Sequence, residues 1–188
     1  YKFIKILDLE KVKVKIEKIY KKFDIKGTIL IAPEGINATI EGFQDNIDSF
    51  LLEFKIDKNF SDIEPKYSYS KKDSFNRMKV RLKKEIVTIG DTKVDPNKYV
   101  GKYIDPKEWN EFISDPNTVL IDTRNAYEVS IGTFKGAINP KTKSFRDLPK
   151  WIKNNLETLD DNYKDKKIAM FCTGGIRCEK STSYLVQK

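Results

Sequence analysis

The sequence predicts two folded units in tandem. An α+β sandwich spans residues 1–90, and an α/β unit with a parallel sheet spans residues 101–188. Three observations carry this. The 188 residues, 39% of them hydrophobic, suffice for two small cores. The first half alternates strand and helix periodicities in the order βαββαβ, which is the order of a ferredoxin-like (acylphosphatase-like) sandwich. The second half carries short, wholly apolar runs separated by helical patterns, which marks buried parallel strands. Between the halves, residues 91–100 include Pro96 and few large apolar side chains, and read as a linker.

The elements follow in order. Tyr1 to Leu7 alternates as a strand. Asp8 caps a helix running to about Phe23, in which Val12, Ile16, Ile19 and Phe23 recur at helical spacing. Lys26 to Ala32 is a second strand. Pro33 to Asn37 is a turn, after which Ala38 to Gly42 is extended again. Asn46 to Phe54 reads as a helix with Ile47, Phe50, Leu51 and Phe54 on one side. Glu64 to Ser70 and Met78 to Ile89 alternate as strands. In the second of these, Met78, Val80 and Leu82 share one face, and Lys79, Arg81 and Lys83 the other.

In the second unit, Asp105 followed by Pro106 is a helix N-cap with proline at the first helical position. Thr118 to Asp122 is a short buried strand. Ala126 to Ile131 is a turn or short helix, and Lys135 to Pro140 a short extended piece. Phe145 to Leu156 is a helix with Leu148, Trp151, Ile152 and Leu156 inward. Ile168 to Phe171 is a buried strand, and Glu179 to Val186 the last helix.

Chemistry concentrates between those last two elements. Cys172 ends the strand, and Thr173, Gly174, Gly175, Ile176 and Arg177 form a tight loop that opens the helix. In such a loop the backbone N–H groups converge and the helix N-terminus adds partial positive charge. Both stabilise a thiolate, so Cys172 is expected to have a lowered pKa. Arg177 adds a fixed charge with a planar donor fork. A cysteine after an apolar run is by itself most often inert and buried. The Cys-x-x-Gly-x-Arg pattern between strand and helix favours a nucleophile instead. Cys178, in the first turn of the helix, has two readings: a thiol that resolves an oxidised or persulfidated Cys172, or a small residue packed under the helix.

Composition excludes several classes. The chain has no histidine, which removes a Cys-His or Ser-His pair and the commonest metal ligand. Two cysteines build neither a disulfide framework nor a zinc site, and they fit a reducing cytoplasm. No apolar run approaches the roughly 18 residues needed to span a bilayer, and the N-terminal residues read as a strand and not a signal peptide. The chain begins on Tyr1, as a fragment would.

The Cys172–Arg177 stretch resembles the active-site loop of the rhodanese (sulfurtransferase) family. That resemblance implies a persulfide-carrying cysteine. The six-residue loop also matches rhodaneses, as against the related dual-specificity phosphatases, whose loop is one residue longer. Val119 to Glu128 matches the family's strand-Asp-x-Arg…Glu segment. Gly132 to Pro140 matches its Gly-x-Ile-x-Gly-Ala stretch, with Phe134 in place of an aliphatic residue. Asp122 and Arg124 within it read as a charge pair pinning the sheet edge beneath the loop. A rhodanese domain would continue with a further strand and helix after Lys188.

The whole chain is similar to the rhodanese-domain tRNA uridine hydroxylases. The stretches that carry this are Gly27 to Thr39, Val80 to Val87, Val119 to Asn125, Gly132 to Lys143 and Phe171 to Ser181. The resemblance implies oxygen-dependent 5-hydroxylation of uridine 34 in the tRNA anticodon. It further implies Cys172 as the catalytic thiolate or persulfide, and molecular oxygen as co-substrate without metal or flavin. It also implies a cysteine-bearing tail beyond Lys188.

Independent signs of RNA are a net charge of +8 and the stretch from Lys66 to Lys84. That stretch holds eight Lys or Arg residues and a single acid, Asp73, with Tyr67, Tyr69 and Phe75 interleaved. Cations neutralise phosphates and exposed aromatics stack on unpaired bases. Lys79, Arg81 and Lys83 are the candidate RNA contacts. Two other readings fit the same residues: a plain sulfurtransferase carrying sulfane sulfur on Cys172, and a non-catalytic module whose loop holds an anion.

Overall fold

The computed structural model describes residues 1–156 and 166–187. They form two compact units that divide between Ile86 and Val87.

The first unit runs β1 (Lys2–Phe3), α1 (Leu9–Tyr20), β2 (Ile25–Ala32), β3 (Gly35–Gly42), α2 (Gln44–Phe54) and β4 (Met78–Leu82). The sheet order is β1-β3-β2-β4. β3 is antiparallel to both β1 and β2, and β4 is parallel to β2. Thus β1-α1-β2 is a split βαβ unit with β3 inserted between its strands. β2 alternates up to Ile31: Ile25, Gly27, Ile29 and Ile31 are buried, and Lys26, Thr28 and Leu30 between them are half-exposed. The buried side takes Ile16 and Ile19 of α1 and Phe50 and Phe54 of α2. Phe50, Phe54 and Phe60 stack in series with ring centroids 5.7 and 4.8 Å apart. Each such side chain, fully buried, stabilises by roughly 1.5–3 kcal/mol. Asp8 caps α1 by accepting the Lys11 N–H at 2.9 Å.

The strand at Tyr1 to Leu7 is shorter than expected. Regular pairing covers Lys2 and Phe3; the Ile4 and Ile6 amides then bond to the Glu34 and Pro33 carbonyls, in the turn between β2 and β3. Glu64 to Ser70 is not a strand. Pro65 has no N–H to offer a ladder, the Tyr67 hydroxyl donates to Asp48 on α2, and the Ser70 hydroxyl donates locally to the Lys72 carbonyl. The run from Met78 stops at Leu82, with one further bond from the Lys83 N–H to the Ile31 carbonyl. Its partner β2 ends at Ala32, and Ile86 instead gives its N–H to the Glu34 carboxylate at 2.8 Å.

The second unit runs α3 (Pro106–Ser114), β5 (Thr118–Asp122), α4 (Ala126–Val129), a 3₁₀ turn at Phe145–Asp147, α5 (Leu148–Asn155), β6 (Lys167–Phe171) and α6 (Ile176–Val186). β5 and β6 are parallel, with Asp122 level with Phe171, and Ile138 adds a parallel bridge to Ile121. Asp105 caps α3 by accepting the Lys107 N–H, with Pro106 at the first helical position. The core gathers Phe145, Leu148 and Ile152 with Tyr184 of α6. Ile89 and Val94 belong to the same core, at 1% and 3% exposure, so the stretch read as a linker at 91–100 packs into this unit. It is tied to α6 as well: the buried Lys180 ammonium donates to the Val94 carbonyl at 3.0 Å, and the Gly101 N–H to the Thr182 hydroxyl at 3.0 Å.

Candidate active site

The site begins where the parallel strands end, the usual place for a ligand in such sheets. Thr123 follows β5 and is buried; its N–H and hydroxyl both donate to the Phe171 carbonyl, at 3.0 and 2.9 Å. That fixes the exit of β6, and Cys172 is the next residue. The loop then turns through Gly175 at φ +94°, a conformation that costs an L side chain about 1–2 kcal/mol. This turn brings the Gly175 N–H to 3.0 Å from the Cys172 sulfur.

α6 starts at Ile176, three residues before the expected Glu179. Arg177 and Cys178 therefore stand in its first turn. The Cys172 thiol is pulled well below its ordinary range, to about 5. The Cys178 thiol, hydrogen-bonded to the Cys172 sulfur, is the largest cause. Burial opposes the shift, and the Cys178, Gly175 and Gly174 amides reinforce it. The thiolate is thus the resting form at neutral pH.

Arg177 is held by a residue that local pattern did not single out. Its two terminal nitrogens donate to the Glu128 carboxylate at 2.6 and 2.7 Å, a bidentate pair with both side chains largely buried. The Thr173 hydroxyl also donates to Glu128, at 3.2 Å. Glu128 in turn accepts the Asn125 N–H at the start of α4, at 3.0 Å. Arg177 holds the Glu128 carboxyl far below its usual range, at about 2. The guanidinium also hydrogen-bonds the Cys172 sulfur, so it bridges thiolate and carboxylate. The signal for Glu128 was its Asn-x-x-Glu spacing at a helix start.

Beneath this lies the expected Asp122–Arg124 pair. Asp122 is fully buried and accepts from Arg124 Nε and Nη2 at 2.9 and 2.7 Å and from the Thr133 hydroxyl at 2.8 Å. Burial works against its charge, but these donors outweigh it and leave the carboxyl below its ordinary range. Arg124 also donates to the Gly132 carbonyl at 2.6 Å and lies over the Phe171 ring at 5.6 Å. Trp109 and Phe134 pack edge-on around Phe171.

The structure thus brings Cys172, Thr173, Gly174, Gly175, Arg177 and Cys178 together, with Asp122 and Arg124 in the layer below. Among the described residues no group of three or more Cys, Asp or Glu side chains is placed to hold a metal ion.

Residues 1–86 match the family described as the UPF0176 acylphosphatase-like domain, and residues 105–188 match the rhodanese-like domain. The chain carries a UPF0176 acylphosphatase-like domain followed by a rhodanese-like domain. That pairing is the one found in the rhodanese-domain tRNA uridine hydroxylases that the sequence resembles.

Lys79, Arg81 and Lys83 lie in the UPF0176 domain. Lys79 is half-buried level with Thr28, Arg81 is exposed level with Leu30, and Lys83 is exposed just past β4. Met78, Val80 and Leu82 pack on the core from the opposite face. The neighbouring basic stretch is tied down: Glu41 accepts the Ser74 and Phe75 amides at 2.8 Å each, and Lys26 pairs with Asp73 at 2.6 Å. Tyr69 stays 88% exposed, whereas Tyr67 donates to Asp48. Among the described residues no helix is long and apolar enough to cross a membrane.

Proposed function

We propose that this chain acts on tRNA, hydroxylating C5 of uridine 34 with molecular oxygen, and that Cys172 is its reacting group. The observation that carries this reading is a rhodanese loop holding a thiolate at neutral pH, joined to a UPF0176 domain with a basic strand face. The chemistry suits the residue. The C5=C6 bond of uracil is conjugated to the C4 carbonyl, so a thiolate adds at C6 and leaves C5 electron-rich, ready to meet an oxidant. The overall reaction places one oxygen atom on C5 and needs two electrons and two protons to carry the other to water. Arg177 keeps the thiolate charged and oriented before the substrate arrives. Lys79, Arg81 and Lys83 supply phosphate contacts that do not depend on sequence.

A second reading is sulfane sulfur transfer through a Cys172 persulfide. It is favoured by the rhodanese-like match and by the amides and guanidinium around the sulfur, which suit an anionic outer sulfur equally well.

The test is nucleoside mass spectrometry of tRNA from cells lacking the gene, complemented by the parent or by Cys172→Ser. The expected result is loss of 5-hydroxyuridine, restored by the parent and not by the serine variant. Unchanged 5-hydroxyuridine in the deletion overturns the reading, and sulfur transfer from thiosulfate would then take its place.

A further inference from the structure

The proposed reaction uses one thiol, and the site holds two. Cys178 stands on the first turn of α6, and both its S–H and its backbone N–H hydrogen-bond to the Cys172 sulfur. On its other side the Thr123 hydroxyl lies 3.8 Å from the Cys178 sulfur and is itself fixed on the Phe171 carbonyl. Thr123 thus ties the Cys178 sulfur to the end of β6, where Cys172 is the next residue, and a disulfide needs the two sulfurs to close to ~2.05 Å. The space beside Gly174 is open, since a β-carbon built there would meet nothing within 4 Å.

We propose that Cys178 is the resolving thiol of Cys172: it displaces a group X that Cys172 has acquired and closes a Cys172–Cys178 disulfide. In this step the Cys178 S–H bond and the Cys172 S–X bond break, and one S–S bond forms. The bonding electron pair leaves with X, which takes the Cys178 proton and departs as HX. Where a hydroperoxide has oxidised Cys172 to the sulfenic acid, X is OH and HX is water. Where a sulfane donor has loaded a persulfide, X is SH and HX is hydrogen sulfide. Two equivalents of a small thiol return the disulfide to two thiols in a two-electron reduction and leave as their own disulfide.

The same contact sets the order of events. While Cys172 is a thiolate, it holds the Cys178 proton, and with burial it pushes that thiol far above its usual range. Loading X takes the negative charge off the Cys172 sulfur: the sulfenic acid loses it, and the persulfide carries it on the outer sulfur. Cys178 can then ionise, and the N-terminal end of the eleven-residue α6 favours the thiolate. Cys178 becomes a nucleophile only after Cys172 has reacted.

Peptide mass spectrometry tests this without RNA, so its outcome is independent of the proposed substrate. The parent chain is treated with hydrogen peroxide in one arm and thiosulfate in the other, then blocked with an alkylating reagent and digested with trypsin. Cleavage after Lys167, Arg177 and Lys180 puts the cysteines on separate peptides, 168–177 and 178–180. The expected result is these two peptides linked, from a chain that runs as a monomer without reductant, with sulfide released in the thiosulfate arm. Cys178→Ser loses the linked pair and keeps the sulfenic acid, trapped by dimedone, or the persulfide on Cys172. An adduct that accumulates on Cys172 of the parent as it does in Cys178→Ser, with no linked pair, overturns the proposal. So does a linked pair found only in dimers.

Discussion

Arg177 carries the loop's one guanidinium, and its worth depends on what holds it. Glu128 takes both terminal nitrogens and so limits the positive charge that reaches Cys172. The thiolate therefore leans first on the Cys178 thiol and the loop amides. Glu128→Gln would test this division. The Glu128 carboxyl falls from its model-compound value of 4.5 to about 2 on folding. A depressed carboxyl stabilises the fold above its unfolded pKa and ceases to do so as pH falls through the folded one. Glu128 thus contributes on the order of 3 kcal/mol at neutral pH, lost between about pH 4.5 and pH 2. The variant should be about 1–3 kcal/mol less stable at pH 7. It should also lose part of the parent's drop in stability between pH 5 and pH 3. Urea unfolding at the two pH values measures both. An acid dependence identical to the parent's would mean that Glu128 is not ionically paired in solution.

Elements set how the loop is built, and here the sequence was readable in part. The apolar run Ile168 to Phe171, the aspartate and proline signals at the helix starts, and the Met78-Val80-Leu82 face all point to their observed places, because each is local. Three features were hidden for stated reasons. The start of α6 moved to Ile176 because a glycine at φ +94° can begin a helix with no side-chain cap to announce it. Glu128 meets Arg177 across 49 positions of chain, which no window sees. Val94 looked like part of a polar linker, yet its single side chain fills the second core beside Leu148 and Ile152. The α6 start yields a prediction. Gly175→Ala forces a β-carbon into a conformation that L residues avoid, and moves the amide that bonds Cys172. The rate of thiol alkylation against pH should inflect near 5 in the parent and measurably higher in the variant, toward the ~8.5 of an unassisted cysteine. The variant should also be about 1–2 kcal/mol less stable. An unchanged inflection would show that the Gly175 amide has no share in holding the thiolate.

At the scale of the whole molecule, one domain holds a reactive thiolate and the other offers a sheet face of unlike chemistry on its two sides. Lys79, Arg81 and Lys83 recur at every second residue, about 7 Å apart along an extended chain, which is close to the phosphate spacing of a single strand. Their apolar alternates, Met78, Val80 and Leu82, pack on the core, so replacing the three cations by alanine leaves the packed face intact. Among the described residues none of the three forms an ion pair, unlike Lys2, Lys15, Lys22 and Lys26. Each phosphate contact to a single strand contributes about 0.7 to the slope of log affinity against log salt. The triple variant should bind tRNA more weakly and with a slope smaller by up to about 2. Persulfide loading of Cys172 from thiosulfate should proceed at the parent's rate, because that reaction needs no RNA. Filter binding at two salt concentrations separates the outcomes. Loss of affinity with an unchanged slope would point to misfolding of the sheet. Parent-like binding at both salts would remove this face from the RNA site and leave Tyr69, with Lys66, Lys71 and Lys72, to be tested in its place.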